Sequence, residues 1–386
     1  MRIYLDYNAT APPAPGVVEA VARAMTGDFG NASSIHGDGQ RAKAVLDDAR
    51  SALAALVGAA PQDLVFTSGG TEAINLALRG AFEAGQALGR RRVVTSALEH
   101  EAGLHTAKAL ATLGADIVLV PALPSGLVDL DAMRAAVTRE TAVVSLMLAN
   151  NEIGTIQPVA ELSEVCRANG ALLHSDAVQA AGKIPVAVEA LGVDMLSVSA
   201  HKFGGPKGVG ALWIRRGVKL TAQATGGRQE RSRRAGTENV AGAAGAGVAA
   251  EFARGHLARQ PAIAALRDEL ERSLLTIAGT MVNGGAVPRV PNTTNITFDG
   301  VEAESLLIAL DLEGIAVSTG SACSSGTLEP SHVLRAMGVA GPRARQALRF
   351  SLGPGTTAEE IAVVSERVPA LISRLRKLGR TAEALR

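Results

Sequence analysis

Side chains able to do chemistry stand directly after three short apolar runs of this sequence. The run 64–67 precedes Ser68-Gly69-Gly70-Thr71-Glu72, the run 171–174 precedes Ser175-Asp176, and the run 195–198 precedes Ser199-Ala200-His201-Lys202. Two glycines before a helix let the backbone approach an anion, and the helix N-terminus supplies free N–H groups and a positive dipole. In isolation the segment 68–72 is an ordinary helix start. Combined with a carboxylate and an amine, it predicts a ligand that carries a phosphate.

These groups are the ones that pyridoxal 5'-phosphate requires. Its aldehyde needs a lysine amine to form a Schiff base, and its pyridine nitrogen needs a carboxylate to stay protonated. Lys202 and Asp176 fit these two roles, although a surface lysine and a distant aspartate would be the ordinary interpretation. The other predicted cofactor contacts are Gly70, Thr71, Ser199 and His201 at the phosphate and Gln179 at the ring hydroxyl.

The elements that must position these side chains alternate between residues 60 and 215. Seven β-branched or aliphatic runs lie at 64–66, 92–95, 117–120, 142–148, 171–174, 195–198 and 210–214, with helical patterns such as 71–84, 102–113 and 159–169 between them. Such alternation predicts crossover connections and an α/β fold with a mostly parallel seven-stranded sheet between helices. Ligands on such sheets bind beyond the carboxyl ends of the strands, where Asp176 and Lys202 are predicted to lie.

The rest of the chain predicts a smaller α+β unit. A Gly/Arg-rich stretch at 226–236 and a helix at 240–255 precede an amphipathic pattern at 261–277, strands at 295–298, 315–317 and 347–350, and a helix from about 358. We place a domain boundary near residue 255. Residues 16–255 are predicted to form the large cofactor-binding domain and 256–386 the small C-terminal domain, with 1–15 as an N-terminal segment that packs with the small domain.

Composition excludes several classes of protein. The chain has 386 residues, of which 47% are hydrophobic, 19% charged and 3% aromatic, with a net charge of +1. A folded globular protein is predicted, and neither nucleic acid nor a membrane surface is supported as a partner. Asp6 interrupts the apolar run that a signal peptide would need, and the two cysteines form no CxxC pair. We therefore expect a cytoplasmic protein in a reducing compartment.

Sequence motifs for other cofactors are either absent or not in the structural context that they require. Two GxGxxA matches, at 37–42 and 245–250, do not follow a strand as a dinucleotide fingerprint must, and no GxxxxGKS or GxxxxGKT run occurs. His100 and His105 stand five positions apart, which places them about 140° apart around a helix, so they cannot share a metal from one face. We predict no metal site.

The ordered motifs of the chain resemble those of the cysteine desulfurases of the NifS/IscS type, within the class V aminotransferase group of fold-type I pyridoxal phosphate enzymes. The resemblance spans nearly the whole length and implies an aspartate-aminotransferase-like fold. It is carried by Tyr4-Leu5-Asp6-Tyr7-Asn8-Ala9-Thr10, Asn31-Ala32-Ser33-Ser34-Ile35-His36, Glu99-His100, Asn150-Asn151-Glu152-Ile153-Gly154, Asp176-Ala177-Val178-Gln179, His201-Lys202, Arg234-Ala235-Gly236-Thr237-Glu238-Asn239, Ser321-Ala322-Cys323-Ser324-Ser325 and Arg349-Phe350-Ser351-Leu352-Gly353, together with residues 68–72.

The resemblance implies roles for four further residues. His100 would stack on the cofactor ring and assist proton transfer, and Asn151 would contact cofactor and substrate. Arg349 would clamp the substrate carboxylate, a bidentate task that suits a guanidinium. Thr237 is similar to the threonine that reaches the phosphate in the neighbouring subunit, which implies a homodimer with composite sites. As ordinary sequence, the histidine and asparagine would be loop residues and the arginine a surface residue at a strand end.

Cys323 decides which reaction the resemblance implies. It lies among small polar residues with nothing to bury a thiol, so we predict an exposed nucleophile on a mobile loop. Cys166 lies in a helical pattern and is predicted to be a small core residue. The implied reaction removes sulfur from L-cysteine and gives alanine and a persulfide on Cys323, with Lys202, His100 and Cys323 as the catalytic residues.

The sulfur then needs an acceptor. Two cysteines cannot bind an iron–sulfur cluster that needs about four thiolates, so a separate NifU/IscU-like scaffold protein is implied as partner. Three alternatives stay open: a selenocysteine lyase, a class V aminotransferase that would not use Cys323, and a non-catalytic assembly subunit. The chain departs from the family's pattern at Arg228, where glycine or histidine is frequent, and at Ser232, where glycine is frequent.

Overall fold

The structure of the protein is a computed structural model that describes residues 2–320 and 330–384. Its strands are β1 (Ile3–Tyr4), β2 (Leu64–Thr67), β3 (Arg92–Ser96), β4 (Asp116–Val120), β5 (Thr141–Ser145), β6 (Leu172–Asp176), β7 (Met195–Ser199), β8 (Gly210–Ile214), β9 (Thr280–Val282), β10 (Thr293–Phe298), β11 (Ile315–Ala316) and β12 (Ala347–Ser351). Its helices are α1 (Val17–Thr26), α2 (Gly37–Leu56), α3 (Gly70–Gln86), α4 (Glu101–Ala111), α5 (Leu130–Ala136), α6 (Ser163–Asn169), α7 (Val188–Leu191), α8 (Gln229–Ser232), α9 (Val240–His256), α10 (Gln260–Leu274), α11 (Ala303–Leu312), α12 (His332–Ala336), α13 (Gly341–Ala344) and α14 (Ala358–Ala384).

A seven-stranded sheet runs through the centre of the molecule in the order β2-β8-β7-β6-β5-β3-β4. Neighbours from β4 to β7 pair in parallel, whereas β8 runs antiparallel to both β2 and β7. The predicted mostly parallel seven-stranded sheet is therefore confirmed. Because parallel neighbours are joined by crossovers, the carboxyl ends of β3, β5, β6 and β7 lie at one edge of the sheet.

Several elements begin or end at residues other than those predicted; β5, for example, ends at Ser145 and not at residue 148. The pattern 159–169 is a 3₁₀ turn, Val159–Leu162, followed by α6, and the N–H of Glu161 bonds to the carbonyl of Pro158 at the turn's start. β10 begins at Thr293 because buried threonines extend its ladder with β12. β9 was not predicted, since three residues are too short to show a period.

Small residues allow α2 and α9 to pack at close range. A Cβ atom on Gly247 of α9 would lie 2.8 Å from the Cα atom of Ala49 in α2, so one backbone would have to move. Ala243, Ala246 and Ala250 of α9 are buried as well. The core of this layer therefore depends on close backbone approach more than on large side chains.

A second hydrophobic cluster gathers residues of β10, β12, α10, α11 and α14. The N-terminal segment joins it, since Ile3 of β1 pairs in parallel with Ile315 of β11 and Leu5 is fully buried. The domain boundaries at residues 15 and 255 stay predictions. Among the described residues, no helix combines the length and the apolar content needed to cross a membrane.

A left-handed turn in α8 is held by a buried ion pair. Glu230, Arg231 and Ser232 have φ values of 46°, 58° and 64°, in the region that favours glycine. The Glu230 carboxylate accepts hydrogen bonds from both terminal nitrogens of Arg50, at 2.7 and 2.8 Å, and from the N–H of Phe66 at 3.0 Å. This pair therefore stabilises a backbone conformation that the residues themselves disfavour.

Replacing Glu230 by glutamine should lower the free energy of unfolding by about 3 kcal/mol, because the buried Arg50 guanidinium loses its counter-charge. Urea unfolding at a fixed protein concentration measures the loss. Asp47→Asn breaks the exposed Lys43–Asp47 ion pair and serves as the matched control, with an expected change below about 1 kcal/mol. Equal losses in the two variants would show that the buried pair has no special role.

His174 joins the three central strands. Its side chain is fully buried in β6, with Nδ1 2.9 Å from Ser145 Oγ in β5 and Nε2 2.8 Å from Ser197 Oγ in β7. Burial lowers the pKa of His174 from 6.5 to about 3, so the folded protein keeps this imidazole neutral.

Stability should therefore decline as the pH falls from 6.5 towards 3, because in this window the unfolded state binds more protons at His174 than the folded state. The decline attributable to this side chain is about 1.4 kcal/mol per pH unit. Urea unfolding between pH 6.5 and 4.5 measures it, and His174→Gln should remove that part of the slope. The same slope in the variant and the parent protein would contradict the buried neutral histidine.

Candidate active site

The carboxyl ends of β6 and β7 border a cavity of about 260 Å³. Nine residues predicted from the sequence line it: Gly70, Thr71, His100, Asn151, Asp176, Gln179, Ser199, His201 and Lys202. The cavity is also lined by Ile74, Met147 and Val178, which were not predicted from the sequence. Apolar residues carry no sequence signal that separates the wall of a cavity from an ordinary core. The predicted polar residues thus meet in one place.

The glycine turn after β2 forms one end of this cavity. Helix α3 begins at Gly70, where a Cβ atom would lie 2.8 Å from Val178 Cγ2, so the packing requires glycine. The first N–H groups of a helix have no acceptor within the helix and carry the positive end of its dipole. Ser199 and His201 line the same cavity from the end of β7. These groups together can bind an anion such as a phosphate.

His201 lies beside the N-terminal segment. Its Nδ1 atom is 3.2 Å from Thr10 Oγ1. Desolvation, assisted by the charges of Lys202 and Lys207, lowers the pKa of His201 to about 4. The ring is therefore neutral at physiological pH.

Lys202 stands in the 3₁₀ turn Ala200–Lys202 that follows β7. Its Nζ atom donates hydrogen bonds to the backbone carbonyls of Asn8, at 2.7 Å, and Ala9, at 3.0 Å. Desolvation and the charge of Arg349 lower the pKa of Lys202 to about 8, against the opposite effect of Asp176 and Asp6. An amine with such a pKa is partly unprotonated near neutral pH, so it can act as a nucleophile and as a base.

Asp176 is the last residue of β6 and is 6% exposed. One carboxylate oxygen accepts the N–H of Val178 at 2.9 Å. Desolvation raises the pKa of Asp176, while the Val178 N–H and the charges of His100 and Lys202 act against that shift. A buried carboxylate of this kind favours a cationic partner inside the same cavity.

His100 is the N-cap of α4. Its Nδ1 atom accepts the N–H of Ala102 at 3.1 Å, which leaves Nε2 to carry the hydrogen of the neutral ring. The side chain keeps an exposed face, yet desolvation by the surrounding atoms lowers the pKa of His100, with Asp176 acting in the opposite direction. A neutral ring with a fixed tautomer is suited to stacking and to donating one hydrogen bond.

Arg349 and Asn151 are joined at the side of the cavity. Arg349 is 4% exposed and donates from Nη1 to the carbonyl of Asn151, at 2.9 Å, and from Nη2 to Asp6 Oδ1, at 2.6 Å. Within residues 2–320 and 330–384, the buried atoms Arg349 Nε and Asn151 Oδ1 have no hydrogen-bond partner. Such orphaned groups call for a ligand, since an unpaired buried polar atom is costly.

Gln179 is linked to residues that the sequence analysis did not single out. Its Nε2 atom donates to the carbonyl of Asn8 at 2.9 Å, and its Oε1 atom accepts a short hydrogen bond from Lys183 Nζ. Asn8 and Lys183 are both buried. Asn8 belongs to a motif that carried the resemblance, whereas Lys183 had no signal apart from its closeness in sequence to Gln179.

Among the described residues, the predicted site residue Thr237 does not line this cavity, and Arg349 is connected to it only through its hydrogen bond to Asn151. Thr237 is exposed and lines a separate pocket of about 110 Å³ with Glu230 and Arg234. Cys323 lies outside the described residues, so its predicted exposure stays a prediction. Cys166 is buried, as expected, and desolvation raises the pKa of its thiol to about 12.

The two departures from the family's pattern, Arg228 and Ser232, lie at the start and the end of α8. Ser232 has a φ of 64°, a conformation in which the family's frequent glycine would be unstrained. Nothing in the structure explains Arg228.

The donor set of the cavity fits pyridoxal 5'-phosphate. An amine (Lys202) and a buried carboxylate (Asp176) line the same cavity as a helix N-terminus whose first residue must be glycine. The orphaned oxygen belongs to Asn151, which lines the cavity and contacts Arg349 through its backbone carbonyl. Each reactive group of the cofactor thus has a chemically matched residue in this cavity.

Comparison with known proteins agrees with this assignment. Residues 3–364 match the family model described as Aminotransferase class-V. The chain is 47% identical over 381 residues to a cysteine desulfurase of Cereibacter sphaeroides, covering 98% of this chain and 97% of that protein. It is 45% identical over 378 residues to the cysteine desulfurase IscS of Methanosarcina thermophila, covering 98% and 93%. A solved structure of a NifS-like protein is similar with a TM-score of 0.91 at 37% identity, covering 97% of this chain and 100% of that one. The family resemblance is thereby confirmed: this chain belongs to the NifS/IscS-type cysteine desulfurases of the aminotransferase class-V family, which are pyridoxal-phosphate-dependent enzymes.

Proposed function

We propose that this protein is a cysteine desulfurase that uses pyridoxal 5'-phosphate to move sulfur from L-cysteine to the thiol of Cys323. One observation carries the proposal: Lys202, Asp176 and His100 line a single cavity at the carboxyl edge of the sheet. The names of the relatives support the choice of L-cysteine as substrate.

Lys202 is proposed to hold the cofactor and to take up the substrate's Cα proton. When bound, pyridoxal 5'-phosphate would withdraw electrons from Cα and so weaken the bonds around it. The pKa of Lys202, lowered to about 8, allows its Nζ atom to accept a proton near neutral pH and to release it again.

Asp176 and His100 are proposed to act at the cofactor ring. Buried beneath the cavity, the Asp176 carboxylate would keep a proton on the pyridine nitrogen because an opposite charge in a low-dielectric site is strongly favoured. The His100 ring, fixed by the Ala102 N–H, would stack on the ring and donate from Nε2. Gly70, Thr71, Ser199 and His201 would bind the phosphate, and Gln179 the ring hydroxyl.

Arg349 is proposed to bind the substrate carboxylate with help from Asn151. The buried Nε–H group of Arg349 has no acceptor among the described residues, and the Asp6 and Asn151 contacts hold the guanidinium in one orientation. A fixed guanidinium binds a carboxylate with geometric specificity, which a lysine would not provide.

Cys323 is proposed to receive the sulfur. Its thiolate would attack the substrate sulfur, so that the carbon–sulfur bond breaks while a sulfur–sulfur bond forms, and the substrate carbon takes up a proton to leave as alanine. L-cysteine and one thiol thus become alanine and one persulfide, with no external oxidant or reductant. We further propose a cytoplasmic homodimer in which Thr237 contacts the phosphate of the neighbouring subunit, and an iron–sulfur scaffold protein of the NifU/IscU type as sulfur acceptor.

Replacing Lys202 by alanine should abolish the visible absorption band of the reconstituted protein, because no other described residue that lines the cavity carries a primary amine. Absorption spectra after incubation with pyridoxal 5'-phosphate test this expectation. Lys207→Ala removes an exposed lysine of the same loop and should keep the band. An unchanged band in Lys202→Ala would remove Lys202 from its role.

Replacing Cys323 by alanine should lower sulfide release from L-cysteine under reductant by at least about a hundredfold, since the nucleophile is lost, while the visible band stays. Cys166→Ala is the matched control and should keep the activity, because the buried Cys166 thiol is held protonated. Peptide mass should place the added sulfur of the parent protein on Cys323. Full activity in Cys323→Ala, or formation of a keto acid instead of alanine and sulfide, would favour an aminotransferase; a much faster turnover of selenocysteine would favour a selenocysteine lyase.

A further inference from the structure

Asn8 is a buried residue whose hydrogen bonds join several elements, and the proposed chemistry gives it no role. The residue is 1% exposed and lies between the N-terminal segment, the turn after β6 and the sheet of β10 and β12. Its N–H donates to Ser351 Oγ at 3.0 Å. Its Nδ2 atom donates to the Asn151 carbonyl at 3.2 Å and to Thr293 Oγ1 at 2.9 Å. Its Oδ1 atom accepts from Lys183 Nζ at 2.7 Å and from Asn292 Nδ2 at 3.1 Å. The side chain is fully engaged, so the turn around Asn8, in which the Ala9 N–H bonds to the Asp6 carbonyl, is fixed in place.

The backbone of this turn contacts Lys202. Two carbonyl oxygens, those of Asn8 and Ala9, accept hydrogen bonds from Lys202 Nζ at 2.7 and 3.0 Å. The Asn8 carbonyl also accepts Gln179 Nε2 at 2.9 Å. Because carbonyl oxygens cannot donate, this pair favours the ammonium form of Lys202 over the neutral amine.

Lys183 supports Asn8 and does not contact the two carbonyl oxygens that accept from Lys202. Its Nζ atom donates to two neutral amide oxygens, Asn8 Oδ1 and Gln179 Oε1. It forms no ion pair with any described residue, and burial lowers its pKa well below the ordinary value. Its two hydrogen bonds hold the side chains of Asn8 and Gln179 in place.

We propose that Asn8 and Lys183 are positioning residues, which hold the carbonyl oxygens of Asn8 and Ala9 as the acceptor pair for the Lys202 ammonium whenever the Lys202 amine is not bound to the cofactor. This inference rests on the proposed function, in which Lys202 takes up a proton. The two carbonyl oxygens would keep that proton on Lys202 Nζ after it leaves one carbon and until it is delivered to another.

Several other charged or titratable groups also act on Lys202, and a measurement of its titration must hold them constant. They are Arg349, Asp176, Asp6, His100, His201 and Lys183, so Lys183→Met changes one of them, and Ser351→Ala, which keeps them all, is the decisive variant. Substituting Ser351 leaves all of these groups in place. Ser351→Ala removes the acceptor of the Asn8 N–H, so it loosens the turn from the side opposite Lys183 without changing any charge.

The test is competitive acetylation of full-length, cofactor-free protein with acetic anhydride across pH 6 to 10, with the label at Lys202 located by peptide mass. In Lys183→Met and in Ser351→Ala, the midpoint of Lys202 labelling should fall by about one pH unit, the shift expected when a hydrogen bond to a charged group is weakened. Lys183→Gln keeps an N–H donor towards Asn8 and should recover part of the shift. Lys207→Met removes an exposed lysine and should leave the midpoint unchanged.

The outcomes separate positioning from mere structural support. A lower melting temperature with an unchanged Lys202 midpoint in folded Lys183→Met and Ser351→Ala would overturn the inference. If Lys183→Met does not fold, Ser351→Ala alone decides, because it exchanges one small side chain for another. Parent protein that forms no visible band with pyridoxal 5'-phosphate would instead overturn the proposed function, so the two failures are distinguishable.

Discussion

The parallel pairing of β5, β6 and β7 is the constraint on which the candidate site depends. Because the chain crosses over before each of these strands, their carboxyl ends point to one edge, where Asp176 ends β6 and Lys202 lies in the turn after β7. His174 fixes the three strands relative to one another through serines of β5 and β7. The position of the reactive groups is therefore a property of the sheet and not of a flexible loop.

Placing the reactive groups at one edge also determines their electrostatics. Burial disfavours the charged form of each group, which lowers the pKa of Lys202 and raises that of Asp176. Each charge in turn stabilises the other, while Arg349 pushes the Lys202 pKa down. The lowered pKa of Lys202 suits this amine to hold and release a proton near neutral pH, which an exposed lysine with an ordinary pKa would not do.

The residues that the sequence could reveal are those with local signals. Asp176 and Lys202 follow apolar runs directly, and Gly70 opens a helix, so strand period and turn chemistry were sufficient to place them. Contacts between distant parts of the chain have no such signal. The pairing of Arg50 with Glu230 and of Asn8 with Lys183 arises only when the sheet brings their elements together. The position of Thr237 could also not be predicted from a local signal, since within one chain it lines a different pocket from Lys202.

The N-terminal segment contacts both Arg349, the proposed substrate-binding residue, and Lys202, the proposed base. Asp6 holds the guanidinium of Arg349, and two residues later the carbonyl of Asn8 receives the amine of Lys202. The same segment is anchored at Ile3 to β11 and at Leu5 in the cluster of β10 and β12. A displacement of this segment would therefore move the contacts of Arg349 and of Lys202 together. In the proposed function Arg349 binds the substrate carboxylate and Lys202 takes up a proton, so this short segment would couple the two steps through Asp6 and Asn8.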